Sequence, residues 1–183
     1  MIPTASATQL LGYTQTLLAQ MSALATEHDA ATDGAFSDFV GPHLRHILEH
    51  YEALSTQIDF ADHTANPPVV DYDARARDLR VQTDPAYAVQ RIALLAATLA
   101  PMAQWTDAHY ARPLRMRAQA GVQGEFYVEV ASNWLRELMF LASHSVHHFA
   151  VVKLQAQQRG KDLGEHFGKA PATVSHAFRA PLQ

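Results

Sequence analysis

The sequence predicts an all-α fold, a four-helix bundle folded as a single domain over residues 1–183, and three observations carry that prediction. Four stretches repeat apolar residues at the 3.6-residue spacing of a helix with one buried face. A connection of about 25 residues separates the second stretch from the third, long for a compact domain and suited to crossing a bundle. Two of the helical stretches also carry histidine-rich faces, which hold six of the eleven histidines. With 183 residues and 48% hydrophobic content, the chain can bury one substantial core but not two comfortable ones.

The first helix spans about residues 5–28, where Leu10, Leu11, Tyr13, Leu17, Leu18, Met21 and Leu24 recur at helical spacing, with no glycine or proline after Gly12. Residues 29–34 carry Asp29, Asp33 and Gly34, which is turn chemistry, and Ser37 or Asp38 caps the second helix. That helix runs from about 37 to 58 and buries Phe39, Val40, Leu44, Ile47, Leu48, Tyr51 and Leu54, with Pro42 tolerated in its first turns. On its helical wheel His43, His46 and His50 lie within about 60° of one another at the margin of the apolar stripe. Arg45, Glu49 and Glu52 face the other way.

The pattern breaks between residues 59 and 85 at Pro67-Pro68. The charges beyond it, at Asp73, Arg75, Arg77 and Asp78 beside Tyr72, suit either an ion-paired crossover on the bundle or a solvated loop. A third helix begins at Asp84-Pro85, an N-cap and first-position proline, and carries Ile92, Leu94, Leu95, Leu99 and Met102 to about Trp105, with a kink expected at Pro101. Residues 114–117 and 126–130 have the composition of a short extended hairpin around Gly121 and Gly124. The fourth helix extends from Ser132, an N-cap residue, to about 158, with Gly160 as the stop. Trp134, Leu138, Leu141, Ser145 and Val152 form its buried side. Past Gly160 an irregular tail offers Leu163, Phe167, Val174 and Phe178 for packing.

Formal net charge is -4, from 14 Lys+Arg against 18 Asp+Glu, and no basic run occurs, so a nucleic-acid partner finds no positive footprint. The absence of cysteine removes disulfides, thiolate ligands and a cysteine nucleophile, so any metal must use nitrogen and oxygen ligands. The first Lys or Arg is Arg45 and the longest apolar stretch, residues 92–103, is too short to span a bilayer, which leaves the cytoplasm as the expected compartment and no membrane partner.

His144 and His148 lie four apart, so both point to one side of the fourth helix and can reach one ion. An ion with an open position needs about three protein ligands, and the second helix offers His43, His46 and His50 as the third. Glu137 lies about 20° from His144 on the wheel, two turns earlier, so a carboxylate points along the histidine face. Its partner is an arginine such as Arg136 or Arg45, a histidine N–H, or a ligand, since an unpartnered buried carboxylate is costly. His147 sits about 100° from His148 and does not share an ion with both neighbours; a partner helix or a substrate is its expected contact. His28, His63, His109, His166 and His176 are scattered and read as surface or loop residues, and Trp105, Trp134, Tyr51 and Phe140 as core.

These features resemble the DinB-like (DinB/YfiT) superfamily of metal-dependent helical bundles. The resemblance is carried by Gly41 five residues before His46-Ile47, and by Arg136-Glu137-Leu138 followed by His144 and His148. It implies an up-down-down-up bundle with a long crossover between the second and third helices. It also implies a metal triad of His46, His144 and His148, with the alternative registers at His43 and His50 still open. Some members of the superfamily are S-transferases or isomerases that use low-molecular-weight thiols. By that resemblance the chain is expected to bind a divalent transition metal, zinc or nickel, and to act on a small molecule as a thiol-dependent S-transferase or a hydrolase. An ion with an open position serves either reaction, by lowering the pKa of water or by activating an external thiolate. Glu137 or His50 would then shuttle protons. The rival expectations are a non-catalytic metal- or ligand-binding module, and a bare bundle acting through protein contacts. A homodimer through an exposed helix face is also expected.

Overall fold

The computed structural model describes residues 7–28, 35–60 and 66–179. Among them the order of elements is α1 (Ala7–Glu27), a π-helical turn (Phe36–Val40), α2 (Gly41–Ser55), a 3-10 turn (Ile58–Phe60), β1 (Val69–Asp71), α3 (Leu79–Thr83) and α4 (Pro85–Leu99). A second 3-10 turn (Ala100–Gln104) comes next, then α5 (Asp107–Tyr110), β2 (Pro113–Ala120), β3 (Phe126–Asn133), α6 (Trp134–Gln158) and α7 (Pro171–Arg179). The turn expected at Asp29, Asp33 and Gly34, and His63, lie outside the described residues.

The fold is not all-α, which corrects the four-helix-bundle expectation. The long helices α1, α2, α4 and α6 pack on one another, α1 and α2 each touching both α4 and α6. A three-stranded mixed sheet of order β1-β2-β3 is built onto them. β2 and β3 form an antiparallel hairpin from Pro113↔Asn133 to Ala120↔Phe126, longer at both ends than the sequence suggests. Gly121 and Gly124, at φ 94° and 73°, supply the left-handed backbone of its turn. The crossover adds the third strand: Val69, Val70 and Asp71 run parallel to β2 opposite Arg115, Met116 and Arg117. Three residues are too few to show a period of two, so only the non-local pairing reveals this strand.

Helix boundaries follow local chemistry. Asp84 caps α4 by accepting the Tyr87 N–H, and Pro101 opens the 3-10 turn instead of kinking a continuing α-helix. α4 and this turn together make a 20-residue segment, Pro85–Gln104, of mean hydropathy 1.3 in its most apolar window. The segment extends the apolar run at 92–103 and is long and apolar enough, by length and composition alone, to cross a bilayer. Ala88, Ile92, Leu95 and Leu99 are buried, whereas Leu94 is exposed. Asn133, not Ser132, caps α6, accepting the Arg136 N–H at 2.9 Å. The tail is helical at α7, where Phe178 remains 75% exposed, while Leu163 and Phe167 pack on the core.

The core runs between the helices: Phe39, Leu44, Ile47, Leu48, Tyr51 and Leu54 of the second helical stretch are all buried, facing Trp134, Leu138, Leu141 and Phe149 from α6. Two polar residues read as outward-facing are buried too. Glu49 accepts the Asp78 N–H at 2.6 Å and lies 3.7 Å from Arg75, both on the crossover that covers it. His28 is 3% exposed, packs edge-on to Phe39 and bonds the Leu24 carbonyl through Nδ1.

The crossover is ion-paired. Asp78 holds Arg91 and the Tyr87 hydroxyl, and Arg91 reaches Glu52 at 2.6 Å. Arg77 adopts a left-handed φ of 53°. Where the crossover ends, α3 presses on the start of α2: a Cβ on Gly41 would overlap the Gln82 carbonyl. Gly41→Ala is therefore expected to cost roughly 1–3 kcal/mol, as overpacking does, measured as a lower urea midpoint with an unchanged slope.

Candidate metal centre

α2 and α6 pack face to face, and each presents a pair of histidines four residues apart: His46 and His50 from α2, His144 and His148 from α6. One ligand nitrogen from each of His46, His50 and His144 lies within 4.8 Å of the others, so these three imidazoles can hold a metal ion. The sequence triad takes His148 where this group has His50. His148 stays adjacent, its ring 4.5 Å from that of His144 and 4.6 Å from that of His46. Its Nδ1, however, lies 2.9 Å from Nδ1 of His43, so one of this pair donates to the other. His50, expected to shuttle protons, thus stands among the candidate ligands. His147 is exposed beside His148, their rings 5.3 Å apart.

The surroundings fix the rings. His50 Nδ1–H donates to the His46 carbonyl at 2.6 Å, which leaves its Nε2 lone pair free for an ion. Tyr72 stacks on His50 at 5.4 Å and Phe140 on His144 at 5.6 Å. The donor set fits a divalent transition ion on a further observation: the buried Nε2 of His144 has no hydrogen-bond partner. An orphaned buried nitrogen among neutral imidazoles is costly, and a metal would satisfy it.

Glu137 does not face the histidines. Fully buried, it accepts from the Tyr72 hydroxyl at 2.7 Å, from Arg136 at 2.7 Å and from the Ser132 hydroxyl. Its oxygens are thus occupied by Tyr72, Arg136 and Ser132. Burial, and then Glu137, push the Tyr72 pKa up, so the phenol stays a donor. A cavity of about 320 Å³, bounded in part by Glu49, Glu52, Asp71 and Arg75, lies beside α2.

Burial, and then the neighbouring imidazoles, push His46 and His144 down to about 3 and His148 to about 4. The Arg75 charge adds to this for His46 and His144. The neutral rings needed for coordination therefore persist at neutral pH. The unfolded chain binds more protons than the folded one between about pH 3 and the ordinary histidine value near 6.5. Stability of the metal-free protein is thus complete above pH 6.5 and falls as pH drops toward 4. Urea unfolding in EDTA at several pH values checks this, with a flatter profile expected for a His46→Gln, His144→Gln, His148→Gln variant.

The fold and site together define a helix-rich domain with a small mixed sheet and an all-imidazole cluster between two helices. No protein-family model matches the chain, and no solved structure matches it significantly. Over 108 residues, 59% of its length, it is 28% identical to FK506-binding protein 5 from Rhizopus delemar. It spans only 27% of that protein.

Proposed function

We propose that the chain is a metal-dependent enzyme of the DinB-like type, acting in the cytoplasm on a small molecule as a thiol-dependent S-transferase or a hydrolase. The observation that carries this reading is the convergence of His46, His50 and His144 within 4.8 Å, one ring nitrogen of the set lacking any partner. Three neutral imidazoles without a carboxylate or thiolate suit zinc or nickel. They also leave at least one coordination position for a substrate. A bound ion supplies Lewis acidity, lowering the pKa of water or of a low-molecular-weight thiol. Within that scheme His50 is oriented by the His46 carbonyl and by Tyr72, and Phe140 holds His144. The similarity to FK506-binding protein 5 brings no activity across, because so little of that protein is covered.

A second reading rests on His148, whose ring lies close enough to those of His46 and His144 to close a four-imidazole sphere. A closed sphere favours a non-catalytic site. Zinc-loaded protein assayed with glutathione and a chromogenic electrophile tests the enzyme reading: thiol transfer is expected in wild type and lost in His46→Ala. Absence of turnover, together with loss of the metal in His148→Ala, supports the closed site instead.

A further inference from the structure

β3 forms one edge of the sheet, and nothing in the metal-site reading uses it. Its residues 126–131 are all exposed, with Phe126 at 56%, Tyr127 at 60%, Val128 at 40% and Val130 at 43%. Edge strands are ordinarily blunted by proline, lysine, a bulge or a covering element. Residues 126–133 contain no proline or lysine, pair in unbroken register with β2, and carry one charge, Glu129.

The ladder shows which backbone groups this edge offers. Arg115 N–H donates to the Pro68 carbonyl and the Arg117 carbonyl accepts from Tyr72 N–H, so residues 115 and 117 direct their backbone groups toward β1. By alternation Met116 and Ala118 direct theirs toward β3, where they meet Val130 and Val128. The N–H and C=O groups of Tyr127, Glu129 and Ala131 therefore point outward from the sheet, in the pattern that an antiparallel strand accepts.

We infer that this edge pairs with β3 of a second copy of the chain, in an antiparallel register centred on Val128, making one six-stranded sheet across a two-fold axis. Self-pairing must place like faces together, so the axis falls on a residue. Centring on Glu129 would set two carboxylates opposite each other, and centring on Tyr127 would oppose Glu125 to Glu129. Centring on Val128 opposes Val128 to its own copy, Phe126 to Val130, and Tyr127 to Glu129. These are apolar pairs on one face and a phenol beside a carboxylate on the other. Glu129 is already balanced by Arg115 and Arg117 of its own sheet. The outward groups of Tyr127 and Glu129 then exchange hydrogen bonds in full.

The surface is of the right order. The exposed parts of the four rings in a pair amount to roughly 400 Å², toward the ~1,000 Å² total of a specific interface. The valines and the paired backbones add to it.

Light scattering on the whole protein tests the pairing. Wild type is expected at twice the 20.2 kDa chain mass, and Val128→Lys, which sets two ammonium groups side by side, at the mass of one chain. Circular dichroism should show both equally folded. The chain has no cysteine, so oxidation gives an independent measure of register. Val128→Cys brings two thiols onto the axis, where facing Cα atoms lie ~4.5 Å apart, within disulfide reach. It should cross-link rapidly, and Val130→Cys, displaced along the strand, at least tenfold more slowly. A wild-type mass of one chain, a Val128→Lys variant that stays paired, or equal cross-linking at the two positions would overturn the inference.

Discussion

Zinc added to the metal-free protein at about a thousand times its dissociation constant is expected to raise the melting temperature by roughly 10 °C, and His144→Ala is expected to abolish the rise. An ion that binds only the folded state stabilises it by about 4 kcal/mol under those conditions. Each kcal/mol moves the midpoint of a domain of this size by about 2–4 °C. The loss should be complete at His144, because its Nε2 is the buried nitrogen left without a partner. His46→Ala should behave alike. His43→Ala removes a group bonded to His148 and not to the three converging rings, so it should keep most of the response. Differential scanning calorimetry with and without EDTA reads all three variants.

Glu137→Ala is expected to cost about 3 kcal/mol of stability and to leave metal uptake nearly unchanged. The carboxylate is fully buried and accepts from Tyr72, Ser132 and Arg136. Removing it strands the buried Tyr72 hydroxyl and uncouples the crossover from α6, and unpairing a buried charged network costs several kcal/mol. Glu137→Gln keeps an acceptor for Tyr72 and should recover part of the loss. Equilibrium urea unfolding separates the two variants. A metal affinity that falls together with stability in Glu137→Gln would instead tie the carboxylate to the histidine cluster through Tyr72.

The long helices were legible because their apolar spacing is unbroken over many turns, and the interhelical meeting of His46 with His144 follows from two such faces. What escaped the sequence depends on contacts between distant segments. β1 is three residues that become a strand only beside β2. Glu49 looks outward on the wheel of α2, yet the crossover folds over it and supplies Asp78 N–H and Arg75. Ser132 resembles a helix cap, but Asn133 takes that role and frees the Ser132 hydroxyl for Glu137. The different surroundings of His50 and His148 beside His46 and His144 likewise turn on orientation. His50 is aimed by the His46 carbonyl while His148 leans on His43, and wheel angles carry no such detail.

Elemental analysis of protein purified without a histidine tag, with wild type, His46→Ala and His144→Ala side by side, tests the metal site most directly. Near-stoichiometric zinc or nickel in wild type and little in either variant is the expected result. Absence of metal from wild type, with none taken up on titration, would contradict it and leave the imidazole cluster a structural feature of the α2 and α6 interface.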